Sequence, residues 1–167
     1  NNHNTFTLPY PDKAKLARTT SGRSNVGNIK EGFIYPYHAR REVSAIPERF
    51  PLSRKNGRFL GLYLADGNID CVTGKVCISK NDEGVLAFVR DWFEEHGMKH
   101  KTYTREINRT AESTGNRIMG KTTTIQGYST LMALFIDELC GKGSENKNVP
   151  DVAFAAPDEF VQGLIEG

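Results

Sequence analysis

Asp66 closes an apolar run, FLGLYLAD, and Gly67 follows it. Within the run, Gly61 and Ala65 are four positions apart, which puts both on one face of a helix. Small residues on that face let a second helix approach closely. A carboxylate at a helix C-terminus is unfavourable toward the helix dipole, so Asp66 reads as a functional acid rather than a surface one. Other chemically suggestive residues carry less. Residues 115–122, GNRIMGKT, satisfy the pattern G-x-x-x-x-G-K-[ST]. A phosphate loop needs a buried strand before it and a helix after it, whereas here a polar turn precedes and a β-branched run follows. Nucleotide triphosphate chemistry through Lys121 is therefore a minor reading. Cys71 and Cys77 lie six apart with no second pair, so they read as small core residues rather than metal ligands. His96 and His100 straddle Gly97 and share no helical face. With Cys140 the cysteines number three and cannot all pair. Nothing else points to secretion, so they read as reduced thiols of an intracellular protein, and the sequon at Asn108 carries no meaning.

The elements that must hold these residues follow from periodicity. A helix is expected over about 54–66, preceded by Pro51 and Ser53, with Phe59, Leu60, Leu62, Tyr63 and Leu64 surrounding it; a helix with no polar face is buried. Gly67 reads as its C-cap. Residues 68–72 and 75–79 flank Thr73 and Gly74 as a hairpin. Asp82 caps a second helix to about 96, with Val85, Leu86, Phe88, Val89, Trp92 and Phe93 at helical spacing. Residues 100–108 and 117–126 alternate and read as a second pair of strands. A third helix covers 129–139 and stops at Gly141. After Pro157, a first-turn residue, a last helix begins at about 158. The order αββαββα, then a further α, argues an α+β fold with an antiparallel sheet. Residues 1–50 show no long helical period. Their short extended pieces, 5–8 and 32–37, suggest a small β or irregular segment.

Composition bounds the function. The chain has 167 residues, 38% hydrophobic and 25% charged, enough for one sizeable core and unlike a disordered or disulfide-stapled chain. No apolar run is long enough to span a membrane, and the first residues lack the plan of a signal peptide. The net charge of +2 is mild, but residues 1–57 hold ten Lys/Arg against four Asp/Glu, while the remainder holds twelve against sixteen. Over 99–126, Lys99, Lys101, Arg105, Arg109, Arg117 and Lys121 face only Glu106 and Glu112. A basic strand pair fits a nucleic-acid groove. Lys75, Lys101, Tyr103, Arg105, Arg109, Arg117, Lys121 and Gln126 are the candidate contacts, with Arg40 and Arg41 as backbone contacts. Strand alternation sends about half of the eight to each face.

The string FLGLYLADG resembles the LAGLIDADG (dodecapeptide, DOD) motif of homing endonucleases, fitting at Gly61, Leu62, Ala65, Asp66 and Gly67 and departing at Leu64. The lead-in IPERFPLSRKNGR and the later GSENKNVPDVAF with APDEFVQGLIEG resemble the approaches to the first and second motifs of inteins with an endonuclease insert. Ile165, Glu166 and Gly167 would then be the first positions of the second motif; an alternative register starts it at Val161. Residues 25–37 are loosely similar to the end of an intein's first splicing segment, though no nucleophilic Cys or Ser opens the chain and no His-Asn closes it.

The resemblance implies a LAGLIDADG-like αββαββα unit with a concave antiparallel sheet over 51–156, the start of a second motif helix over 157–167, and a basic segment over 1–50 left from a splicing region or linker. It implies two motif helices side by side, meeting at Gly61 and Ala65, each delivering one acid. It implies Mg²⁺ or another divalent metal held by Asp66 and Gly67, with Lys147 stabilising charge and Lys80 positioning water. The implied activity is a metal-dependent double-strand break in a long DNA site, in the service of intein or intron mobility and alongside protein splicing. The implied partners are double-stranded DNA and a second LAGLIDADG half, in the same chain or a dimer partner. On this reading the fragment alone does not cut. The alternative is a non-cleaving nucleic-acid binder of the same fold, like RNA maturases or transcription factors.

Overall fold

The computed structural model describes residues 5–7, 26–36, 45–110 and 117–167. Helix α1 (Arg54–Asp66) starts at Ser53, whose hydroxyl accepts from the Asn56 amide. Phe59, Leu60, Leu62 and Tyr63 are all buried, as a helix without a polar face requires. The chain then turns directly into β6 (Gly67–Asp70) and β7 (Lys75–Lys80), an antiparallel hairpin whose turn holds Gly74 at φ 68°. Asp82 caps α2 (Glu83–Glu95) by accepting from the Val85 amide. Gly97, at φ 64°, redirects the chain into β8 (Lys99–Thr110), which pairs with β9 (Arg117–Tyr128) along its whole length. Helices α3 (Thr130–Cys140) and α4 (Asp158–Glu166) follow, separated by a 3₁₀ turn at Asp151–Ala155.

The order is α+β, with a four-stranded antiparallel sheet, β6-β7-β9-β8. One face packs against α1, α2 and α3 through Val76, Ile78 and Ile125. Trp92 organises this core. It stacks on Phe59 at 3.5 Å between ring centroids and donates from its indole N–H to Asn56 Oδ1 at 2.9 Å. Asn56 in turn donates to the Pro51 carbonyl, so a buried polar pair is satisfied.

Ahead of α1 lie β1 (Thr5–Thr7), β2 (Val26–Lys30), β3 (Phe33–Pro36), β4 (Ile46–Pro47) and β5 (Arg49–Pro51). They form a β1-β5 pair and a β2-β3-β4 sheet. Ile34, Ile46, Phe50 and Leu52 are buried, and Phe50 meets Phe135 at 5.0 Å. The described part of this segment thus shares the core of the α+β unit. No helix among the described residues is long and apolar enough to cross a membrane.

Candidate functional site

Helices α1 and α4 meet backbone to backbone. A Cβ on Gly57 would lie 2.1 Å from the Phe160 carbonyl oxygen, and one on Gly61 would lie 2.2 Å from that of Leu164. Reciprocally, a Cβ on Gly163 would lie 2.0 Å from the Arg54 oxygen, and one on Gly167 2.4 Å from that of Arg58. Only glycine fits at these four places. The pattern is a local two-fold: Gly57 and Gly163 are 106 residues apart, as are Gly61 and Gly167. The same offset relates Phe59 to Ile165. Phe160 seals the contact from within, fully buried. At the N-terminal end of α1 the Arg54 guanidinium grips the Glu166 carboxylate with two hydrogen bonds. Gly57, one turn before Gly61, joins it in this interface, while Ala65, one turn after, is exposed.

Asp66 ends α1, and its side chain is 47% exposed. Lys80, the last residue of β7, places Nζ 2.5 Å from Asp66 Oδ2. Lys147 arrives from the loop after α3. Its ammonium donates to the carbonyls of Tyr63 at 2.8 Å, Leu64 at 3.4 Å and Gly67 at 2.6 Å, and lies over the Tyr63 ring. Burial lowers the Lys147 pKa from the usual lysine value, while the Asp66 carboxylate opposes that shift. Both sequence-derived lysines thus converge on the turn that carries Asp66, and each already has protein oxygen partners. Gly67 is not the left-handed cap that its position suggested. It is extended, at φ −83° and ψ 161°, and begins β6. Glycine is required there because a Cβ would lie 2.4 Å from the Tyr63 ring.

The second face of the four-stranded sheet carries no fully buried residue among those described. Burial at Thr123, Ile125 and Gly127 sets the register, sending Thr122, Thr124, Gln126 and Tyr128 the other way. Cross-strand pairing then places Lys99, Lys101, Tyr103 and Arg105 of β8, and Lys75, Cys77 and Ser79 of β7, on this open face. Ser79 and Thr124 hydroxyls bond across it at 2.7 Å. Lys75, Lys101, Tyr103, Arg105 and Gln126 are therefore gathered there. Arg117 and Lys121 fall on the opposite register, where Arg117 donates to Asn108 at 3.0 Å. Arg109 pairs with Ile118 in the ladder, and Arg40 and Arg41 lie outside the described residues. Residues 117–122 are strand, so the GNRIMGKT string opens no helix.

Cys140 is buried in the core and Cys71 packs half-buried against it, whereas Cys77, expected in the core, lies outside it. Cys77 opposes Gln126 on the open face, and the half-buried Cys71 thiol lies 3.5 Å from the Asp137 carboxylate. Burial and then Asp137 push the Cys71 pKa up to about 11, which leaves it a poor nucleophile. His96 stacks on Trp92 at 3.8 Å and His100 faces Glu94, and among the described residues neither sits in a group of three or more His, Cys, Asp or Glu.

Sequence reasoning missed Gly57, Gly163 and the Arg54–Glu166 pair. The signal was present as two four-residue glycine spacings, 57/61 and 163/167.

No protein-family profile matches the chain. Over 123 residues it is 33% identical to the DNA-directed RNA polymerase subunit Rpo1C of Methanocaldococcus jannaschii, covering 74% of this chain and 13% of that protein. Over 150 residues it is 25% identical to the ATP-dependent DNA helicase Hel308 of Thermococcus kodakarensis, covering 83% of this chain and 12% of that one. The chain thus spans about an eighth of the length of each curated relative.

Proposed function

We propose that this chain is the first half of a LAGLIDADG-type homing endonuclease domain of intein origin, which binds double-stranded DNA on its open sheet face. The observation that carries the reading is the glycine-only contact between α1 and α4, with a carboxylate at the far end of α1. A two-fold offset of 106 residues carries Asp66 five positions past Gly167, where the resemblance expects a second acid. The comparisons favour a portable segment. A polymerase subunit and a helicase, named for different activities, are both matched over a similar share of this chain and a small share of themselves.

The Asp66 carboxylate and the Gly67 carbonyl are oxygen donors of the kind Mg²⁺ takes. Among the described residues no group of three or more His, Cys, Asp or Glu converges. The donor set therefore fits half a site, completed by a carboxylate from the equivalent helix. A bound divalent metal would supply an activated water and charge neutralisation on phosphate. Asp66 would hold it at the helix tip, and Lys80, released from Asp66, would orient water or phosphate. Lys75, Lys101, Arg105 and Gln126 would hold the duplex over that tip.

The test is selection from a random duplex pool. The chain is expected to enrich one long asymmetric sequence. Joined to a second αββαββα unit bearing its own acid, it is expected to cut that sequence with Mg²⁺. Asp66→Asn should keep binding and abolish cutting. No enrichment of any duplex would sink the DNA reading. Enrichment without cutting in the joined form would leave the non-cleaving alternative standing.

A further inference from the structure

We infer that Lys147 is a positioning residue that caps the C-terminus of α1, fixing how Asp66 and Gly67 leave the helix, and that it does not contact nucleic acid. This rests on the reading of Asp66 above, but its geometry stands independently. A helix leaves its last carbonyls without intrahelical partners. In α1 the usual left-handed glycine cap is missing, because Gly67 is extended and enters β6 at once. One ammonium has three donors, and that of Lys147 spends them on Tyr63, Leu64 and Gly67, on both sides of Asp66. It is also a cation at a helix C-terminus, where the dipole favours it.

The loop that carries Lys147 is itself fixed. The Tyr63 hydroxyl donates to the Gly141 carbonyl at 2.6 Å, and the Asn148 amide to that of Cys140 at 2.9 Å. Gly141, at φ 71°, lies so close to Asn146 that a Cβ would be 2.2 Å from its oxygen. A lysine held this way has no donor left for phosphate. Of these two lysines, Lys80, whose partner among the described residues is the Asp66 carboxylate, can change partners.

Hydrogen exchange tests the cap. The Gly67 amide bonds to the Tyr63 carbonyl that Lys147 shares. In Lys147→Met this amide is expected to exchange at least about tenfold faster, while mid-sheet Val76 and Ile125 stay within about twofold. Asp66 and Gly67 resonances should move in Lys147→Met and return toward their places in Lys147→Arg, with β9 unmoved. If Lys147→Met does not fold, the unsubstituted chain still decides: ammonium protons held on three carbonyls are visible by NMR at neutral pH, and solvated ones are not. With the selected duplex, the salt slope of binding should be unchanged in Lys147→Met, whereas a phosphate contact would remove about 0.9 of it. A slope loss of that size, an unmoved Gly67 amide, or a solvent-exchanging ammonium overturns the proposal. If no duplex is bound at all, the functional reading fails and the exchange result alone judges the cap.

Discussion

At the scale of single residues, His96 shows how burial turns into pH dependence. Its ring is packed between Trp92 and Phe50, and its Nδ1 lies 2.7 Å from the Trp92 carbonyl. Desolvation lowers its pKa below the ordinary 6.5, more than the Trp92 carbonyl and Glu95 raise it. The unfolded chain then binds the proton more readily than the native one, so stability is full above about pH 6.5 and falls as the pH drops below it. Thermal unfolding followed from pH 7 to 5.5 should show this fall, and His96→Phe should flatten it. An unchanged slope in His96→Phe would mean that other groups carry the dependence. Cys140 makes a parallel case, since burial raises its pKa to about 12. Alkylation of the native protein at pH 8 should spare it, and modification of Cys140 before unfolding would contradict its placement in the core.

Among elements, the α1–α4 pair is the most demanding contact. Gly57→Ala gains about 0.5–1 kcal/mol in helix propensity, but its methyl would meet the Phe160 carbonyl at 2.1 Å. Backbone cannot swing aside like a side chain, so overpacking of about 1–3 kcal/mol wins. Denaturant unfolding of Gly57→Ala and Gly163→Ala should each show a net loss. Gly143→Ala, with open space around it but a positive φ of 77°, should lose only the conformational part. A Gly57→Ala protein as stable as its parent would mean that the helices do not meet here. The elements themselves were legible, because apolar spacing and caps such as Ser53 and Asp82 are local signals. The site was legible only in part. Gly57 precedes the apolar run, and its spacing to Gly61 becomes a signal only beside the matching 163/167 pair a hundred residues away. Cys77 was misplaced because Val76, Cys77 and Ile78 form an apolar run, which hides that the middle residue faces the other way. The run TTTIQ offers threonines to both faces, so the register of β9 became readable only once Ile125 was seen to be buried. Lys147 meets carbonyls more than 80 residues earlier, which no spacing rule anticipates.

For the whole molecule, charge is sorted by face. Lys75, Lys99, Lys101 and Arg105 share the open side of the sheet, while Arg117 and Lys121 register with the other. If the open side meets a polyanion, Lys101→Ala and Arg105→Ala should each lower the salt slope of duplex binding by about one, and Arg117→Ala should leave it near its parent value. Equal effects from all three would show that the β8–β9 ribbon is gripped from both sides.

The glycine contact has a consequence beyond stability. Where helices pack through side chains, their separation drifts whenever a leucine becomes a valine or a methionine. Between α1 and α4 nothing is left to resize: peptide rests on peptide, and the gap is set by the thickness of the backbone itself. Whatever the two helices carry at their tips is held apart by a gauge that evolution of the surrounding core cannot stretch.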